Sequence, residues 1–576
     1  VGLDKIEEKF MKLLRIDMSA LTSSLEDLPD EWKIIGGRGL SAKILAKEVP
    51  PSTDPLGPGA RLILANGPLA GTMAPSFGRM SMGGKSPLTM GIKEANVGGA
   101  AGQKIDKLGV RAIVVQGAPS DGKLYVAKVS RDGVAFEEAE EYSGMGNYKL
   151  AEALQAKHGK KVAIISIGVA GERKQKAASI ALTDKDGLPT RHAARGGLGA
   201  VMGAKGLKAI VVDDEGTKNV APAQKDIYRD AVKAWPDSLH ANKSFKTFAA
   251  TGTAGVLGVL SRMSSTPMQN YSGQPPEGME NLFGENIMKD EEGRGHKMDA
   301  CMQGCMVKCS LIYNDAEGNH LTSALEYETL ALMGTNLGVA DPDAVSLFDH
   351  LCDDIGIDTI EVGSALGVAA SAGKFAMGDA AAVEGLLKEI EEGTDLGAMI
   401  ADGVVNTALK LGVTRVPAFR GQAIPAHDPR VGKPTGVTYH TSPMGADHTA
   451  GLKYAMENEG AVEASLKEQI TNATLDSIGL CQFAIAGKTP ITVTFCKDLI
   501  NACHGLDITE DDVINIGRGC LRDEIEFNKG AEFSTMHGDF PSYVRTEELP
   551  PMGMVFGVEP TEMENIWNDL DTIAVI

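Results

Sequence analysis

Short uninterrupted apolar runs mark the first two hundred or so residues. Residues 62–65, 112–115, 162–167 and 209–212 are such runs, rich in Ile, Leu and Val. Their length and β-branched content predict strands buried on both faces. Residues 124–129 and 134–136 flank a connection containing Asp132-Gly133, which predicts a hairpin. Past about residue 215 the period becomes helical. Asp341 and Pro342 supply an N-cap and a first-turn proline, and Val345, Phe348, Leu351, Cys352 and Ile355 then share one face. Gly356 is placed to end that helix. Asp358 with Glu361 predicts a capping box opening the next one. The D-x-x-G turn formed by Asp353 and Gly356, followed by Ile357 and Asp358, recurs as Asp476, Gly479 and Leu480 and runs directly into Cys481. Residues 264–267 and 271–278 read as a long connection.

Composition narrows the class only slightly. A chain of 576 residues predicts two or three domains. The shift in pattern and the Pro417, Pro425 and Pro429 run divide it into 1–212, 213–417 and 418–576. A net charge of −21 disfavours a nucleic-acid binder. The 68 glycines fit either a loop-rich fold or close backbone approach to a bulky ligand. There is no apolar run of about 18 residues, and residues 1–8 are amphipathic and acidic without a secretory or twin-arginine pattern. The expected location is the cytoplasm, with no membrane span.

Chemistry concentrates in the cysteines. Of eight, three fall at Cys301, Cys305 and Cys309, and Cys481 is a remote fourth. Soft thiolates select zinc, copper(I) or an iron–sulfur cluster. Structural zinc favours paired knuckles, and none follows here. Three close cysteines plus a distant one suit a [4Fe–4S] cluster, with zinc and inert core thiols as the alternatives. Cys352, Cys496, Cys503 and Cys520 read as buried thiols. Two loops, residues 78–87 with Arg79 and Lys85 and residues 191–203 with Arg195, place arginine beside glycine, as phosphate oxygens require. Neither has Walker or dinucleotide spacing. A D-x-x-G carboxylate can accept paired hydrogen bonds from a pterin or guanine edge, or simply end a helix.

From Leu14-Arg15-Ile16-Asp17 and Gly36-Gly37-Arg38-Gly39 to about residue 485, these pieces resemble the aldehyde:ferredoxin oxidoreductase family. Its members are tungsten enzymes with a bis-pterin cofactor beside a [4Fe–4S] cluster. The resemblance implies an α+β fold, an N-terminal α/β-mixed cofactor-base domain followed by two mainly α-helical domains. It implies that Asp353, Gly356, Ile357 and Asp358, with Asp476, Gly479 and Leu480, hold two pterins. Asn96 and Ala194 would lend carbonyls to a bridging Mg2+, and Gly98, Arg195 and Gly196 would belong to the phosphate-side loops. Arg79 would stand between pterin and cluster near Cys481. The family places a glutamate and a histidine beside the metal, here Glu326 and His448, with Glu328 and His440 as alternates. Read without the family, those groups are a solvated helix face and loop hydrogen bonds. The implied activity is oxidation of aldehydes to carboxylic acids by tungsten or molybdenum. Electrons would leave through the cluster to ferredoxin or an iron–sulfur partner subunit, in a homo- or hetero-oligomer. The family's aldehyde oxidoreductases carry C-x2-C-x3-C, whereas this chain has C-x3-C-x3-C. That departure opens one alternative, a benzoyl-CoA-type aromatic acyl-CoA reductase subunit; a separate one is a silent electron-transfer subunit holding only the cluster, against which both D-x-x-G turns and both glycine-arginine loops argue.

Overall fold

The computed structural model describes residues 11–289, 293–485, 489–535 and 540–575. The N-terminal part is two six-stranded sheets of one design. The first holds β1 (Lys12–Asp17), β2 (Thr22–Asp27), β3 (Leu62–Asn66), β4 (Met80–Lys85), β5 (Ile92–Val97) and β6 (Val110–Gln116). The second holds β7 (Tyr125–Ser130), β8 (Gly133–Glu138), β9 (Ala163–Ser166), β10 (Ile180–Leu182), β11 (Arg191–Ala193) and β12 (Leu207–Val212). Their orders are β2-β1-β6-β3-β4-β5 and β8-β7-β12-β9-β10-β11, so each strand has a counterpart six places on. β1 pairs parallel with β6, as β7 does with β12, and every other pairing is antiparallel. Helices Gly37–Glu48 and Asn147–His158 occupy matching connections, as do Ala101–Lys107 and Leu198–Ala204. The chain therefore contains a structural repeat that the sequence reading did not anticipate.

The two sheets share a core. Ile113 and Val115 of β6 face Ile165, Leu182 and Ile210 of the second sheet. Ala112 and Val114 of the same strand face the helical half. Both faces being buried is why such strands read as continuous apolar runs.

Four local expectations need correction. Residues 80–85 are a strand, not a loop. Gly83 is needed there because a Cβ would stand 2.5 Å from that of Ser41, on the helix packed above. Lys85 is buried, and its ammonium donates to the carbonyls of Pro51 and Thr53 rather than facing a phosphate. Residues 191–203 are likewise strand, 3-10 turn and helix, Arg195–Gly197 being the turn. The capping box at Asp358 is half-made. Asp358 accepts from the Ile360 amide at 3.0 Å, but the Glu361 carboxylate is drawn to the amides of Val404 (2.9 Å) and Ala423 (2.8 Å). His440 lies in helix Lys433–Thr441, not in a broken loop.

The helix Pro342–Ile355 forms as expected, with Asp341 accepting from the Asp343 amide and Gly356 at φ +76°. The mainly helical remainder is interrupted by a sheet of β13 (Gly295–Asp299), β14 (Ser310–Asn314) and β15 (His320–Ser323). Among the described residues no helix is long and apolar enough to cross a membrane.

Candidate active site

Cys301, Cys305 and Cys309 lie in the connection between β13 and β14, which pair as far as Asp299 and Ser310. The spacing is thus that of a hairpin loop and not of a helix face. Ser76, in the segment after β3, gathers the ligating pieces. Its amide donates to the Gly304 carbonyl (3.0 Å), its hydroxyl accepts from the Met306 amide (3.1 Å), and its carbonyl accepts from the Cys481 amide (3.0 Å). Gly98 abuts the loop: a Cβ there would sit 2.9 Å from the Cys301 sulfur. All four thiols are free. Among the described residues, no three of these sulfurs lie within 4.8 Å of one another. A tetrahedral zinc thiolate, with Zn–S near 2.3 Å, has sulfurs about 3.8 Å apart.

Two guanidiniums flank the sulfurs. Arg79 donates to the Asn96 carbonyl (3.2 Å) and to its side-chain oxygen. Burial opposes the charge of Arg79, but Cys481, Cys301, Asp476 and Glu326 around it raise its pKa. Arg191 is in the same position, burial being outweighed by Cys301, Asp184, Glu326 and Cys309. Arg79 was picked out from the sequence. Arg191 was not, although it lay inside a glycine-arginine stretch.

The two D-x-x-G turns are alike in build. Gly356 and Gly479 are both left-handed, at φ +76° and +74°. Each turn sits on a glycine at the end of a corresponding strand of the repeat. A Cβ on Gly67, after β3, would stand 2.1 Å from the Ile478 carbonyl oxygen. A Cβ on Gly168, after β9, would stand 2.2 Å from that of Ile355. Asn96 and Ala194 also correspond, one at the end of β5 and the other just after β11, edge strands that touch. The carboxylates differ. Asp353 is 3.0 Å from His192 Nε2 and accepts from the Tyr148 hydroxyl at 3.4 Å. Among the described residues Asp476 Oδ2 has Arg38 at 3.6 Å and no hydrogen bond. Burial, reinforced by Glu94, pushes the Asp476 pKa well up. Asp358 Oδ2 and Arg195 Nε, 3.4 Å apart, are also buried without hydrogen bonds. The rest of the Arg195 guanidinium donates to the carbonyls of Ala446 (2.9 Å) and Ala423 (2.7 Å).

The candidate proton-transfer groups separate. Glu328 Oε1 lies 3.6 Å from His448 Nε2, and 2.9 Å from Nε2 of His427, a residue the sequence reading missed. Glu328 Oε2 accepts from the Ala426 amide at 2.8 Å. Burial favours a neutral Glu328, but His448 and His427 hold its pKa down at about 2. Burial lowers the His448 pKa, aided by His427 and Arg195 against Glu328 and Asp447. Asp447, the residue before His448, is locked in a buried ion pair with Lys93 of β5. Glu326 stands apart; its pKa is raised by burial against the pull of Arg191 and Arg79. His440 does not join. It stacks on Phe419 at 4.9 Å and lies 5.7 Å from Phe540.

Comparison with known proteins places the chain in a family. Residues 13–214 match the family model described as "Aldehyde ferredoxin oxidoreductase, N-terminal domain", and residues 230–567 match "Aldehyde ferredoxin oxidoreductase, domains 2 & 3". The tungsten-containing aldehyde ferredoxin oxidoreductase of Pyrococcus furiosus is 30% identical over 94% of this chain and 92% of its own. The aliphatic sulfonate oxidoreductase WOR-like subunit of the same organism is 28% identical over 88% and 83%. The active site complex BamBC of benzoyl coenzyme A reductase, solved with 1,5-dienoyl-CoA, superposes with TM-score 0.79 at 18% identity, over 98% of this chain and 94% of that one, a likeness of fold. With both family models matched across nearly its whole length, the chain belongs to the aldehyde ferredoxin oxidoreductase family of oxidoreductases, whose matched members include tungsten-containing enzymes.

Proposed function

We propose that this chain is a tungsten (or molybdenum) bis-pterin oxidoreductase that oxidises aldehydes to carboxylic acids. It would pass electrons through a [4Fe–4S] cluster to ferredoxin or an iron–sulfur partner subunit. The observation that carries the reading is the pair of D-x-x-G turns seated on equivalent glycines, the second leading straight into Cys481. The buried polar atoms left without hydrogen bonds around them, on Asp476, Asp358, Arg195, Arg38 and Glu94, fit a polar heterocyclic cofactor.

In this reading Asp353, Ile357, Asp476 and Leu480 hold the pterins, Asn96 and Ala194 offer carbonyls to Mg2+, and Cys301, Cys305, Cys309 and Cys481 ligate the cluster. The bound metal supplies a two-electron sink and a Lewis acid. The net change is aldehyde plus water to carboxylic acid, two electrons and two protons. Glu326, its carboxyl shifted upward by burial, is the group that takes up a proton as general base. His448 and Glu328 hold the substrate's oxygen end, and the Lys93–Asp447 pair fixes the loop that carries His448. Arg79, between Asp476 and the thiols, stabilises negative charge as electrons pass. The division at 212 and 417 separates the cofactor base from its two helical covers.

The C-x3-C-x3-C spacing supports a second reading, reduction of an aromatic acyl-CoA on the same scaffold. Metal and pterin analysis of anaerobically purified protein tests the cofactor reading, with about four irons, one tungsten or molybdenum and two pterins per chain expected. Aldehyde-dependent reduction of a viologen dye then separates the two reactions. Iron without heavy metal or pterin, in cells supplied with tungstate and molybdate, would sink both.

A further inference from the structure

Arg420 is the exception among the arginines drawn into the molecule. Arg38, Arg111 and Arg430 are buried, and each has a carboxylate, on Glu524 (2.8 Å), Asp106 (3.4 Å) and Asp428 (2.7 Å). The Arg420 guanidinium makes one hydrogen bond, to the Phe533 carbonyl at 3.3 Å, and no ion pair among the described residues. Its Nε is buried without a hydrogen bond, while the residue as a whole is only half-buried. Burial lowers its pKa, and no neighbouring acid opposes the shift. In a chain of net charge −21, the acid has been left out at this one place.

The surroundings hold the group in position. β16 (Ala418–Phe419) and β17 (Gln422–Ala423) form a hairpin in which Phe419 pairs with Gln422, with Arg420 and Gly421 between them at φ +50° and +83°. Such a two-residue turn favours Asn or Gly at its first position. Residues held against their backbone preference cluster at ligand sites. The rings of Phe533 and Phe419 lie 4.6 and 5.2 Å from the guanidinium carbon. Rings against a guanidinium's faces leave its N–H edge free to meet an oxyanion. The hairpin also reaches the candidate active site. The Ala423 carbonyl accepts from Arg195, and the Gln422 amide donates to the carbonyl of Ala446 (2.7 Å), the residue before Asp447. Phe533 borders the same loop, where a Cβ on Gly445 would stand 3.9 Å from its ring.

We infer that Arg420 is the recognition group of an anion site, taking a carboxylate or phosphate on a ligand that reaches the candidate active site. A cation drawn out of water needs an anionic partner to offset its lost hydration. The described part of the chain supplies none, so the ligand does. Paired N–H donors in one plane suit both oxyanions. The next step rests on the proposed function: the favoured aldehyde carries its negative charge away from the reacting carbon.

The whole chain is titrated with succinate and with inorganic phosphate, by calorimetry and by Tm. At least one is expected to bind and to raise Tm, tighter succinate assigning a carboxylate and tighter phosphate a phosphate ester. Arg420→Met, which keeps an apolar stem beside the rings and removes an unpaired charge, is expected to weaken binding roughly 10–100-fold. Its Tm without anion is expected to match wild type, and the rise with anion to vanish. Arg420→Lys, with the charge but not the paired edge, is expected to fall between. The kcat/KM for 4-oxobutanoate or glyceraldehyde 3-phosphate, relative to butanal, is expected to drop by the same factor in Arg420→Met, through KM. Wild type that binds neither anion overturns the inference. So does Arg420→Met that binds as wild type does, or that loses Tm without anion and keeps the substrate preference. Anion binding at Arg420 in a protein that oxidises no aldehyde would keep this site and remove the functional proposal instead.

Discussion

Glu328 and His504 show how burial sets a side chain's chemistry in opposite ways. Glu328 is kept charged by two imidazoles, so Glu328→Gln removes a negative oxygen and is expected to lower kcat/KM for aldehyde roughly 10²–10⁴-fold. An effect below tenfold would remove Glu328 from the reaction. His504 is kept neutral: burial, with Arg111, lowers its pKa to about 4, and its Nε2–H donates to the Pro68 carbonyl at 2.8 Å. An unfolded histidine titrates near 6.5, so the unfolded chain binds the extra proton first as pH falls. The stability His504 contributes is present above about 6.5 and is lost as pH falls toward about 4. His504→Gln is expected to flatten Tm against pH over that interval; an unchanged profile would refute the assignment. The cysteines and both D-x-x-G turns were legible in the sequence because each signal is local. His427 and Arg191 were not, because what marks them is the arrival of Glu328 and of the thiols from distant segments.

At the scale of elements, the turns are placed by absent side chains. Gly168→Ala pushes a methyl into the Ile355 carbonyl. It is expected to cost about 1–3 kcal/mol from overpacking and, on the proposed reading, to release the heavy metal. Gly122→Ala instead introduces left-handed strain, φ +70°, which Gly168 at φ −78° lacks, and has open space around it. That control is expected to cost about 1–2 kcal/mol and to leave metal content alone. Equal metal loss in both would mean that general destabilisation, not the seat under the turn, was responsible. Apolar runs disclosed strands such as β6 and β12 because both faces are buried. β4 stayed hidden because Gly83 and Gly84, required by close packing, imitate a loop. The capping box failed for a related reason. Glu361 finds two distant amides that no rule of local spacing includes.

The whole molecule is held across its halves by a shared apolar core and by buried ion pairs. Arg38, in the first helix of the N-terminal part, makes two 2.8 Å hydrogen bonds to Glu524 of helix Glu510–Lys529, with both groups buried. Removing one partner of such a pair leaves a buried charge, so Glu524→Ala is expected to destabilise by about 3–5 kcal/mol. Chemical denaturation checks this, and a loss under 1 kcal/mol would show that water reaches Arg38. The repeat in the N-terminal part was invisible in the sequence because its halves share topology and a few glycines rather than side chains. Order along the chain has its own consequence. During synthesis on the ribosome, both sheets are complete once Val212 has emerged, and three thiols are out by Cys309. The second turn and the fourth thiol appear only with Cys481. A nascent chain can finish the base long before it can close the site, so on the proposed reading cluster and cofactor would be delivered afterwards, to a protein already waiting in shape.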